Sequence, residues 1–222
     1  MKFVCPYFDD VIIFQEQETC TIVVENKNAF RTLVEELYAQ IEEGIGGKCI
    51  LSEKEKPLSM AKCCDLLQTF APFDMNRKKL IGGIVSHMEA KAADEFFFLR
   101  TQALLSSIEQ LVDALGEELP CTVACGKLNA SALLKAIGIE LVDDYDNAAE
   151  KILDYMQLMT DFCQVKLFIT VNMRSFFNTA TMQLFIDTAM AHNISLLMLE
   201  STAFPRFRGE KRITVDEDLC VF

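Results

Sequence analysis

The chain has 222 residues, about half of them apolar (51%), and carries a net charge of −12. That is enough chain and apolar content for one large or two small cored domains, and no charge-free apolar run reaches the roughly 20 residues of a membrane span. The acidity argues against a generic basic nucleic-acid binder, but not against a protein that gathers its lysines on one surface.

The first residues, Met1-Lys-Phe-Val-Cys-Pro6, turn polar too soon for a signal peptide, so a cytoplasmic setting is expected. Nine cysteines are then read as reduced thiols, with Cys49, Cys163 and Cys220 in apolar runs and assigned to the core. Cys63 and Cys64 are adjacent and no CxxC occurs, which argues against a zinc site.

Asp10–Phe14 and Thr19–Val24 read as strands joined by the polar Gln15–Glu18, a hairpin. A helix follows from Ala29 to about Glu43, with Phe30, Leu33, Val34, Leu37, Tyr38 and Ile41 as its apolar stripe and Gly44, Gly46 and Gly47 as its end. Lys48–Ser52 reads as a further short strand. In a nucleotide-binding protein the turn before such a helix carries glycines, a lysine and a hydroxyl that hold phosphate and magnesium. Here the turn is Glu25-Asn-Lys-Asn28, without glycine and with a carboxylate where phosphate would lie. A later strand ends in Asn172, where an aspartate would hold magnesium. The sequence therefore argues against ATP hydrolysis.

After Ser52–Pro57 the pattern turns helical. Pro57–Phe70 is read as helix-rich, and Asn76 to about Glu117 as one or two long helices, with Gly82-Gly83 a place to kink. Asn129 caps a short helix, Ala130–Ile137, which Gly138 ends. Ile139–Val142 is read as extended, and Asp146–Phe162 as a helix. Lys166–Asn172, Asn178–Asn193 and Ile194–Glu200 then form a strand, a capped helix and a strand. Two buried strands joined through a helix must be parallel.

Catalytic residues are sparse. Neither His87 nor His192 has an evident nucleophile or carboxylate partner, and both are assigned structural roles. Asp143, Asp144 and Asp146 form an acidic cluster that suits a hard cation, or a solvated start to the next helix. Arg77-Lys78-Lys79 stands at a helix start, where the dipole disfavours it, and so suits a polyanion or a solvated face. Arg206 and Arg208, interleaved with Phe204 and Phe207, suit phosphate or a protein partner.

The ordered set Leu133–Gly138, Lys166–Asn172, Asn193–Glu200 and Arg212–Asp218 resembles the accessory spacer-acquisition proteins of type II-A CRISPR systems, over nearly the whole chain. The resemblance implies an α/β head at 1–57 and 146–222, a degenerate P-loop ATPase-like fold without the phosphate loop, and an inserted α-helical leg at 58–145. It implies no enzymatic activity and no nucleotide. It implies a homotetrameric ring that threads double-stranded DNA from a free end, beside the CRISPR integrase proteins and the guide-directed nuclease, in antiviral defence. The alternative is a DNA-independent scaffold for the adaptation proteins. Matching by position makes Lys135 the first choice for a DNA contact, followed by Lys127, Arg77, Lys78, Lys79, Lys54 and Lys56. Relatives bind calcium through carboxylates just before the Lys135 helix. The matching stretch here, Pro120–Lys127, has none, so calcium dependence is expected to be reduced or moved, for example to Asp143, Asp144 and Asp146.

Overall fold

The computed structural model describes residues 1–8, 11–14 and 19–222. It divides into two compact units, one of Met1–Met75 with Asp144–Phe222 and the other of Asn76–Asp143.

In the first unit the elements run β1 (Lys2–Val4), β2 (Ile12–Ile13), β3 (Thr19–Val24), α1 (Lys27–Ile41), β4 (Ile50–Glu53), β5 (Lys56–Leu58), α2 (Met60–Cys63) and β6 (Cys64–Leu67). The second unit holds α3 (Lys78–Ala92), α4 (Phe98–Gly116) and α5 (Ala130–Ile137). The chain then returns with α6 (Ala148–Cys163), β7 (Leu167–Val171), a 3-10 turn at Met173–Ser175, α7 (Thr179–Ala191), β8 (Leu196–Glu200) and β9 (Glu210–Val215).

Five strands form a parallel sheet in the order β6-β7-β8-β3-β9. The βαβ unit expected from Lys166 to Glu200 is its centre, with Phe168 beside Leu196 and Val171 beside Leu199. Alternation splits the sheet's two faces chemically. One face, with Cys20, Ile22, Val24, Ile169, Leu197 and Leu199, packs on Leu33, Leu37 and Ile41 of α1 in a continuous apolar core. On the other face Thr21 lies beside both Met198 and Arg212, and Thr170 also lies beside Met198. That face buries Thr19, Thr21, Thr170, Asp65 and Glu200, and Tyr155 of α6 donates to Asp65 at 3.0 Å.

A second, antiparallel sheet runs β2-β1-β4-β5. The expected hairpin between the first two strands is therefore corrected: β2 pairs with β1, whereas β3 lies between β8 and β9. All six residues of β3 are buried, so it belongs inside a sheet rather than at a hairpin edge. Asp10 and the Gln15–Glu18 joint lie outside the described residues.

Pro57–Phe70 is also corrected. Only Met60–Cys63 is helical, and the next four residues form β6, whose side chains are all buried in the parallel sheet. Residues 58–75, read as leg, thus pack in the first unit. Ile139–Val142 forms no strand. The long helical stretch is broken at residues 93–97, while α3 runs on through Gly82 and Gly83.

The cysteines depart from expectation as well. The β1–β4 ladder pairs Val4 with Ile50, which sets Cys5 opposite Cys49 with Cα atoms 4.3 Å apart, and the two form a disulfide. Cys163 is half-buried and Cys220 exposed, so neither is core.

Candidate nucleic-acid interface

The sequence-selected cations fall in both units. In the second, Asn129 caps α5 by accepting from Ala132 N at 2.8 Å, and Gly138 ends it at φ 74°. Lys135 lies in the last turn, where the dipole favours a cation. Its side chain is 70% exposed, 4.0 Å from Glu89 of α3. Beyond α5 the chain runs back along α3. Leu141 N donates to Asn76 Oδ1 at 2.7 Å and Asn76 Nδ2 to Leu141 O at 3.2 Å.

Arg77 is the N-cap of α3 without a side-chain capping bond, and Lys78 and Lys79 follow it, exposed. Roughly 20 Å of helix separates this cluster from the Glu89 end, at 1.5 Å per residue. The structure therefore spreads Lys135 and Arg77-Lys78-Lys79 along α3 rather than gathering them. Lys127 is exposed in the irregular segment before α5. Lys54 and Lys56 belong to the first unit. Lys54 and Glu55, at φ 48° and 64°, make a two-residue turn between β4 and β5 that displays both lysines to solvent.

Asp143, Asp144 and Asp146 are exposed, and Asn147, not an aspartate, caps α6. Tyr145 between them donates to Asp154 at 2.8 Å, and burial together with that bond pushes its hydroxyl up to about 12. Among the described residues no group of three or more His, Cys, Asp or Glu is placed to hold a metal. Beside Pro120–Val123 a pocket of about 530 Å³ is lined by Asp113 of α4 and by Glu117 just after it, a pair that sequence reasoning missed. Two carboxylates supply at most four of the six to eight oxygens calcium takes, the others coming from backbone carbonyls or water.

The turn after β3 engages its amides locally, beside a pocket of about 630 Å³ lined by Asn26, Asn28, Ala29 and Thr32. Asn26 Oδ1 accepts from Asn28 N at 3.1 Å and Ala29 N at 3.0 Å, which engages two of the first amides of α1. Asn26 Nδ2 donates to Glu217 O at 2.8 Å, and Glu25 N to Val215 O at 2.9 Å, so the C-terminal segment closes over the turn.

Arg206 and Arg208 lie on the crossover from β8 to β9, above a buried ion network with no sequence signature. Arg174 Nη1 meets Glu210 Oε1 at 3.2 Å, and Arg212 Nη2 meets the same oxygen at 2.7 Å. The Arg174 guanidinium lies 4.1 Å from the Phe207 ring centre and 5.0 Å from that of Phe204. Burial lowers its pKa, opposed by Glu210. Glu200 Oε1 accepts from Arg174 N at 3.2 Å, while Oε2 has no partner among the described residues. Burial raises the Glu200 carboxyl from 4.5 to about 7, against the bond and charge of Arg174.

No described helix is long and apolar enough to cross a membrane. No curated protein matches the chain. Residues 27–219 match the family described as CRISPR-associated protein (Cas_Csn2). The match spans most of the chain, from the start of α1 through the whole second unit to beyond β9. The chain belongs to the CRISPR-associated Cas_Csn2 family, the accessory adaptation proteins of type II-A systems.

Proposed function

We propose that the chain acts in spacer acquisition without enzymatic activity, holding the ends of double-stranded DNA in a homotetrameric ring beside the integrase proteins and the guide-directed nuclease. The observation that carries the assembly is α4. Only Leu105 of its 19 residues is buried. Leu104, Ile108, Leu111 and Leu115 recur at 4-3-4 spacing, the seam of a helix that packs against another helix. Leu104 is 51% exposed, Leu111 58% and Leu115 61%, an apolar stripe along one face of the helix. Further copies of the chain are its cover in this reading, because the stripe has the self-complementary spacing with which one helix packs on another.

The head is an ATPase-like α/β fold without the phosphate loop. A parallel sheet with β3 inside it and α1 directly after it supports that relation, and Asn26 occupies amides that a phosphate loop would offer. Lys135, Lys127, Arg77, Lys78, Lys79, Lys54 and Lys56 are the DNA contacts in this reading, and the exposure of their side chains, with Arg77 half-buried, supports it. Such contacts meet phosphates, not base edges, so binding is sequence-independent and log K falls linearly with log salt. The test is binding of linear duplexes of unrelated sequence across a salt series. Equal affinities and a shared steep slope are expected. An assembled oligomer that retains no DNA at low salt would leave only the scaffold.

A further inference from the structure

We propose that the β8–β9 crossover, residues 201–209, is a second phosphate-contact surface, borne on the first unit, with Arg206 and Arg208 as its contact residues and the backbone of duplex DNA as its ligand. The proposal rests on the DNA-binding reading above.

Parallel strands are usually joined through a helix of a dozen or more residues. Here β8 ends at Glu200 and β9 begins at Glu210, and the connection has no helix. Buried side chains hold its backbone instead. Arg212 Nη1 donates to Phe204 O at 2.6 Å, Arg174 Nη2 donates to Pro205 O, and Phe207 N donates to Glu210 Oε2 at 2.6 Å. Arg208 N donates to Gln183 Oε1 of α7 at 3.1 Å. Phe207 is buried against the Arg174 guanidinium.

The peptide groups on both sides of Arg206 are thus fixed, while its side chain is exposed. Among the described residues nothing engages its guanidinium. Arg208 is 82% exposed and pairs with Asp187 at 3.0 Å, and Lys211 is exposed nearby. In a chain of net charge −12, residues 206–212 hold four basic side chains and one acidic one. The acid, Glu210, is consumed inside by Arg174 and Arg212. The Arg212 side chain is buried with that acid, so what faces water is Arg206, Lys211 and the Asp187-paired Arg208, set on a backbone that needs no ordering on binding, which is the cost preorganisation removes. Guanidinium forks suit phosphate oxygens.

The test compares wild type, Arg206→Ala, Arg206→Lys and the double variant R206A/R208A in equilibrium binding of a linear duplex over a salt series. These side chains are exposed, so the variants keep the wild-type melting temperature. Arg206→Ala is expected to bind more weakly at low salt and to lower the slope of log K against log salt by about 0.9 for each phosphate that is no longer neutralised. The double variant lowers it further, and Arg206→Lys restores most of it. If wild type binds and the double variant matches it in affinity and slope, this surface is overturned and the DNA-binding reading stands. If wild type itself fails to bind, both fall.

Discussion

Asn26, at the start of α1, donates its side-chain amide to the backbone carbonyl of Glu217, 2.8 Å away across 191 residues of sequence. The same side chain caps the helix. One residue therefore engages two amides of α1 and ties the C-terminal segment to the start of that helix. Asn26→Ala removes a cap of about 1 kcal/mol and a tertiary hydrogen bond of about 1 kcal/mol. A fall of several degrees in melting temperature is expected by calorimetry. An unchanged melting temperature would show that this tie contributes nothing.

Glu200 makes stability depend on pH. Its folded pKa, about 7, lies above its starting value of 4.5, so the folded protein holds the proton more tightly. That contribution is complete below about 4.5 and is lost as pH rises through about 7. Glu200→Gln keeps an oxygen acceptor for Arg174 N and cannot ionise. The variant should gain on wild type as pH rises from 5 to 8, by on the order of 2 kcal/mol. Parallel stability curves for the two proteins over that range would sink the assignment.

The α4 seam makes a prediction about assembly. Leu111→Glu sets a charge among apolar side chains that a partner helix would cover, and each interface should weaken by about 2 kcal/mol or more. Sedimentation should show smaller species with wild-type helix content. A variant that keeps the wild-type mass at low concentration would move the interface elsewhere.

Calcium dependence of DNA retention is expected to be reduced or moved to other carboxylates, because Pro120–Lys127 has none. Loss of binding in EDTA that calcium alone restores would contradict a reduced dependence.

Much of the fold was legible in the sequence. Asn129 and Asn178 each cap a helix by accepting a backbone N–H as expected, Asn147 caps α6 in place of the aspartates before it, and α5, α6 and α7 start within two residues of the expected places. The apolar runs of β7 and β8, joined through a capped helix, left only a parallel pairing. β6 escaped because four residues after a helical pattern, with a carboxylate among them, carry no strand signal. Asp65 is tolerated in that strand through the hydroxyl of Tyr155, 90 residues away. The β2–β3 hairpin failed because a short polar joint looks alike whether its flanking strands pair or part.

The site was less legible. The selected lysines are exposed as a surface role requires, yet exposure is also what any lysine prefers. Arg174, Glu200, Glu210 and Arg212 make no motif along the chain, and only the return of β9 beside β3 brings them together.

The proposed ring threads duplex DNA from a free end. The most direct test is a pair of gel shifts at low salt, with a linear duplex and with covalently closed circles of the same sequence. A ring with a cationic inner wall shifts the linear DNA, leaves the circles free and releases the linear DNA as salt rises. Equal shifts on both would contradict threading, since binding would then need no free end.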